Sequence, residues 1–207
     1  MEAWFIVAQV LGVITIVFAF ASYQKKEQRK YLFTIGISYI FWTLMFVAMG
    51  LNGRMIDFIP PIIASGFGML RSFVFWWIVG DKRRKKAGRI FLLVFLAVAV
   101  TGGIFAILNS TPEIMVFQWI VLFAALLFVI GQYLPNQHFV RATAVIYAIA
   151  FSFASTPLYI LDGDFRWNPM GLLIEVSKIA SVIWFYIMLM KKKGKQVTQS
   201  ESHNTLE

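Results

Sequence analysis

The chain has 207 residues, 59% of them hydrophobic and only 14% charged, with a mean hydropathy of +0.74. A water-soluble domain carries about 25% charged residues; so few charges cannot cover this much apolar surface, so a soluble globular protein is excluded and lipid is the natural solvent. There are no cysteines, which removes disulfides, thiol chemistry and thiolate metal sites, and the net charge of +9 sits beside apolar segments rather than in a nucleic-acid-binding patch.

A membrane span needs roughly 20 mainly apolar residues. Seven segments meet that length, at 4–22, 31–50, 58–79, 90–108, 114–131, 142–161 and 169–190. They are apolar on every face and about twice as long as barrel strands, so they read as helices. The first has no basic stretch before it and no small-residue cleavage site after it, and reads as a retained helix rather than a signal peptide. The second ends at an Asn52-Gly53 turn signal. The third opens at Pro60-Pro61, where a helix start tolerates the missing N–H groups. It then carries Ala64, Ser65, Gly66 and Gly68, which suit close helix packing, and Arg71. Thr101-Gly102-Gly103 loosens the fourth, and Pro112 and Pro135 flank the fifth. In the sixth, Pro157 follows Ser152, Ser155 and Thr156 and predicts a kink. An Asp162-Gly163 turn leads to the seventh, which opens at Pro169 and carries Glu175 and Lys178. The polar tail, 191–207, has no apolar period and reads as disordered.

Fifteen of the 19 Lys and Arg fall on one side of this layout: Lys25, Lys26, Arg29 and Lys30, six between 82 and 89, Arg141, and four in the tail. The other side has only Arg54 and Arg166. The positive-inside rule places the N-terminus outside and the tail in the cytoplasm of a bacterial inner membrane. The basic runs then serve orientation and contact with anionic headgroups, not nucleic acid.

Shifted by about 110 positions, the halves rhyme. Gln9 meets Gln118, Leu51-Asn52-Gly53 meets Leu161-Asp162-Gly163, and the aromatic run 73–77 meets 183–187. Three spans reverse the chain and a fourth restores it, so the expected fold is an all-α bundle of seven transmembrane helices. It comprises two parallel three-helix repeats (about 4–79 and 114–190) joined by a linker helix at 90–108, followed by the tail.

An ionised group at mid-bilayer costs on the order of 3 kcal/mol on insertion scales and faces the bundle interior or a wet cavity. Arg71, Glu175 and Lys178 are such groups. The functional reading makes them a substrate-binding or gating site at the repeat interface, with Pro157 supplying flexibility. The structural reading makes Glu175 and Lys178, three residues apart on one helix face, a buried pair that fixes packing. Two cations against one acid suit a small polar or anionic metabolite. Phosphate-cradling glycine loops, zinc-hydrolase motifs, nucleophile elbows and carboxylate–histidine clusters are all missing from the sequence, so it argues for no enzyme, metal or cofactor. It leaves room for homo-oligomerisation.

Gln9, Gly12, the string Ser22-Tyr23-Gln24-Lys25-Lys26 with Arg29, then Gly50 and Arg71, and in the second half Arg141, Tyr147 and Glu175, resemble the pattern of the YgjV family of bacterial inner-membrane proteins. The resemblance covers about 9–186, and implies a layout similar to the SWEET and PnuC carriers. It departs at 43–47, where that family would have a histidine-bearing Phe-rich stretch. The Pro-Gln pair that ends the first span of each SWEET repeat is replaced by Tyr23-Gln24 and Gln132-Tyr133, so the sugar-carrier hinge does not transfer. The expected function is transport of a small polar metabolite through the repeat interface. The alternative is a membrane scaffold, assembly factor or sensor that works through its basic loops.

Overall fold

The computed structural model describes residues 2–53, 55–109, 112–162 and 168–204, with side chains described to Phe153 in the sixth helix and from Met170 to Lys192 in the seventh. Seven α-helices follow one another: α1 (Glu2–Tyr23), α2 (Gln28–Asn52), α3 (Met55–Val79), α4 (Lys85–Leu108), α5 (Pro112–Tyr133), α6 (Gln137–Asp162) and α7 (Asn168–Asn204). A 3-10 turn, Lys82–Arg84, leads into α4, with the Asp81 carboxylate accepting from the Arg83 N–H at 2.9 Å. Most helices begin a few residues before their apolar segments. The flanks Gln28-Arg29-Lys30 and Lys85-Lys86 are good helix formers and extend the helix toward the membrane surface.

Six of the helices, α1 to α5 and α7, are long and apolar enough to cross a membrane, judged on the described residues. Their outward faces stay apolar: Ile6, Val17, Ile63, Leu93, Phe105, Phe123 and Val176 are exposed. The interior, by contrast, holds Thr15, Ser38, Arg71, Gln132, Arg141, Thr143, Glu175, Lys178 and Ser181. A monomer in water rarely exposes apolar patches beyond a few hundred Å². Membrane-length helices with apolar outward faces, packed around a largely apolar core that also encloses these polar groups, make this a multi-pass α-helical membrane protein.

Neighbouring helices form a ring. α2 packs between α1 and α3, α6 packs between α5 and α7, and α1 lies against α7. α3 touches α5 more sparsely, and α4 lies outside that seam against α5 and α3. Phe95 of α4 plugs into α3 through edge-on contacts with Phe67 and Phe75, at 5.1 and 5.4 Å between ring centroids.

Two local expectations are corrected. α3 begins at Met55, so Pro60 and Pro61 lie inside it rather than at its start. Each removes an N–H from the ladder. One turn on, the Ser65 hydroxyl donates to the carbonyls of Pro61 (2.7 Å) and Ile62 (3.1 Å), while Thr43 of α2 donates to Ser65 at 3.0 Å. The tail is not an irregular segment: α7 continues to Asn204. Adding residues to an existing helix avoids the cost of nucleation, and Lys, Gln and Glu propagate it well. The Asn52-Gly53 signal does end α2, with the Gly53 N–H donating to Met49 and Gly50 carbonyls. The α6 backbone is helical through both Pro157 and Asp162, whereas the side chain of Pro157 and the turn residue Gly163 lie outside the described residues.

Candidate functional site

A cavity of about 160 Å³ lies inside the ring, walled by α2, α3, α5 and α6. Helical spacing puts Pro61, Ser65, Gly68 and Arg71 on one stripe of α3, all facing it. On α2, Tyr39, Trp42 and Phe46 form a stacked column, with centroids 5.7 and 6.2 Å apart. Opposite, Phe128 of α5 stacks on Tyr147 of α6 at 5.5 Å, and Phe151 extends that wall. Gly68 is glycine for a reason of space. A Cβ there would come within 2.7 Å of the Tyr39 ring.

Arg71 is the charged residue of this cavity wall and is 8% exposed. Its Nε donates to Gln132 Oε1 at 2.7 Å, and its guanidinium carbon lies 5.3 Å from the Phe128 ring centroid. Among the described residues neither Nη atom has a hydrogen-bond partner. Gln132 is held in turn: its Nε2 reaches the Tyr31 hydroxyl at 3.4 Å, and its backbone carbonyl accepts from Gln28 at 2.9 Å.

Glu175 and Lys178 are brought together but do not line the cavity. Lys178 Nζ donates to Glu175 Oε1 at 2.6 Å, with the two side chains 2% and 0% exposed. Lys178 also sits over the middle ring of the column, 4.7 Å from the Trp42 centroid. Glu175 Oε2 and Trp42 Nε1 are buried without hydrogen-bond partners. The pair thus stands behind Trp42, one layer removed from Arg71. Of the expected site residues, Arg71 lines the space, Glu175 and Lys178 back it, and the side chain of Pro157 lies outside the description.

The ends of α1 and α5 carry polar clamps that the sequence did not announce. Arg141, counted from sequence as a loop cation, is 2% exposed. It donates to the carbonyls of Tyr23 (3.0 Å), Lys25 (2.8 Å) and Gln137 (3.1 Å) and lies 3.6 Å from the Phe185 ring centroid. The last carbonyls of a helix have no partner within it, and a cation there also meets the negative end of the helix dipole. That explains why α6 delivers an arginine to this spot. Gln24 donates to Ser181 of α7, to both its carbonyl and its hydroxyl, at 2.7 Å. Across the ring, Gln28 of α2 donates to the carbonyls of Gln132, Tyr133 and Leu134 at the end of α5. A polar residue at the end of a span, such as Gln132, was the available signal for these contacts; their partners were not readable.

Among the described residues, no group of His, Asp and Glu could hold a metal ion. No family model, curated protein or solved structure matches the chain.

Proposed function

We propose that the protein is a carrier of a small polar metabolite, moved through the space between its two halves. The observation that carries this reading is the cavity, because its walls come from both halves, α2 and α3 on one side and α5 and α6 on the other, with a buried arginine between them. A charged group inside a membrane bundle faces a partner or a ligand pathway, and Arg71 has only a neutral amide for a partner among the described residues.

In this reading the bundle has seven crossings, α6 included, and two parallel repeats related about an axis along the membrane normal. The end clamps support the repeat. α6 and α7 hold the end of α1 through Arg141 and Ser181, while α2 and α3 hold the end of α5 through Gln28 and Arg71. Arg71 and Ser181 are equivalent under the same shift of about 110 positions that pairs the repeats. So are the stripe Pro61, Ser65, Gly68, Arg71 and the stripe Gly171, Glu175, Lys178, Ser181. The charged pair of α7 therefore occupies the place in the second half that the cavity-lining face of α3 occupies in the first. The N-terminus is outside, the basic loops and tail face the cytoplasm of a bacterial inner membrane, and the layout is that of the YgjV, SWEET and PnuC type. With Arg141 buried, the orientation rests on the other basic residues, which keep the same bias.

The test is a thermal-shift screen of the purified full chain against sugars, amino acids, nucleosides, vitamin precursors and organic acids. A ligand that binds the folded state stabilises it with concentration. A hit lost in Arg71→Ala, followed by uptake into proteoliposomes, is the expected result.

One observation favours a scaffold instead. Glu175 is fully neutralised by Lys178, as a pair used only for packing would be, and Lys30, Arg83, Lys85 and Lys86 are exposed for a partner. Charge reversal at 82–86 separates the two readings: a scaffold loses its partner, whereas a carrier keeps most of its uptake.

A further inference from the structure

The chemistry of the cavity wall restricts what it can hold. Among the described residues, Arg71 is the only charged side chain lining it. The neighbouring Glu175 and Lys178 cancel each other at 2.6 Å. The wall therefore has one net positive charge, in surroundings of low dielectric where charge complementarity is strong. A cationic solute is disfavoured, and a neutral one leaves the guanidinium without a counter-charge. Guanidinium binds a planar two-oxygen anion through two parallel hydrogen bonds, and both Nη atoms of Arg71 are without partners among the described residues. The Nε is already spent on Gln132, which leaves the Nη edge as the docking edge.

The rest of the wall is aromatic. Two stacked columns line the cavity, Tyr39–Trp42–Phe46 on α2 and Phe128–Tyr147 between α5 and α6, with interplanar angles of 5° and 12° in their tightest pairs. Flat rings favour offset or edge-on contact with another flat ring. A cavity of about 160 Å³, well above the roughly 10–15 Å³ that one water needs, has room for a single-ring solute. We infer that the cavity is a binding site for a small planar monoanion, a ring carboxylate, with its carboxylate on the Nη edge of Arg71 and its ring between the aromatic columns. This assigns a substrate class to the proposed carrier and rests on that reading only for transport, since binding is measured separately.

The experiment uses the full chain in detergent and four probes: benzoate, benzamide, benzylammonium and acetate. Each is titrated by thermal shift. Benzoate should bind at least tenfold more tightly than any of the other three, and Arg71→Gln should weaken it at least tenfold. Arg71→Lys should retain part of the affinity, because it keeps the charge but loses the planar fork. Ala125→Phe, which fills the cavity from α5 and leaves Arg71 in place, should abolish benzoate binding. It supplies the answer if Arg71→Gln does not fold. Benzamide or benzylammonium binding as tightly as benzoate overturns the anion; acetate doing so overturns the ring. Benzoate binding that survives Ala125→Phe, or no benzoate binding at all, overturns the site. Uptake of labelled benzoate into proteoliposomes then separates the two claims. Arg71-dependent binding without uptake keeps the site and removes the carrier, whereas uptake of a neutral solute by a protein that ignores benzoate keeps the carrier and removes this substrate class.

Discussion

At the scale of single residues, the Glu175–Lys178 pair shows what the sequence could and could not say. Spacing of three on one helix puts the two side chains together, and they are together, at 2.6 Å. Spacing says nothing about what else surrounds them, and the ring of Trp42 under Lys178 comes from another helix. Removing one partner of a buried pair leaves an uncompensated charge, typically a loss of about 3 kcal/mol or more; removing both for apolar groups of similar size is often neutral. Lys178→Met should therefore lower the melting temperature of the purified protein by several degrees, and Glu175→Leu with Lys178→Met should recover most of it. A double variant as unstable as the single one would mean that the pair does more than neutralise itself. Arg141 is the opposite case. In the sequence it is one more basic residue before an apolar segment, and its sequence position matches that of loop cations. Its burial follows from the end of α1 lying beside the start of α6, a tertiary fact with no local signature. Arg141→Leu removes three hydrogen bonds to carbonyls, each worth about 1.5 to 3 kcal/mol when the donor is charged. That variant should melt well below wild type even though it adds an apolar side chain to an apolar protein.

At the scale of helices, composition was enough for existence but not for extent. Apolar stretches on the order of 20 residues long, in a chain whose backbone has no other partner in lipid, must be helices. Polar flanks that hydropathy does not weigh carry α7 past its apolar part, whereas α3 starts before its two prolines on the mostly apolar run 55–59. The glycines separate helix faces that meet from faces that do not. A Cβ on Gly131 of α5 would run into the Thr143 side chain of α6, whereas nothing lies within 4 Å of one on Gly66 of α3. Overpacking a tight contact costs about 1 to 3 kcal/mol. Gly131→Val should lower the melting temperature by several degrees and Gly66→Val should leave it near wild type. Equal effects would mean that α5 and α6 do not approach as closely as the structure has them. Sequence marks Gly66 as a small residue suited to packing and gives Gly131 no such mark, because it does not say which side of a helix faces its neighbour.

At the scale of the whole molecule, the order of helices around the ring and the cavity they enclose depend on which faces turn inward. In helices apolar on all sides that choice is not written in a periodic pattern. Overall topology depends only on counting crossings and basic loops, and here that count makes a sharp prediction. With seven crossings, Lys26 after α1 and Lys192 at the end of the apolar part of α7 lie on the same side, and Asn109 after α4 lies on the other. If α6 failed to cross, Lys192 would join Asn109. The chain has no cysteine, so Lys26→Cys, Asn109→Cys and Lys192→Cys each give a single reporter without further engineering, and both lysines are exposed. In spheroplasts treated with a membrane-impermeant maleimide, only Asn109→Cys should label; Lys26→Cys and Lys192→Cys should label only after lysis. The inverse pattern at all three positions would reverse the orientation and leave the count intact. Labelling of both Asn109→Cys and Lys192→Cys from outside would reduce the crossings to six. The parallel repeat proposed above would then be ruled out, and a shared site between equivalent halves would lose its geometric basis.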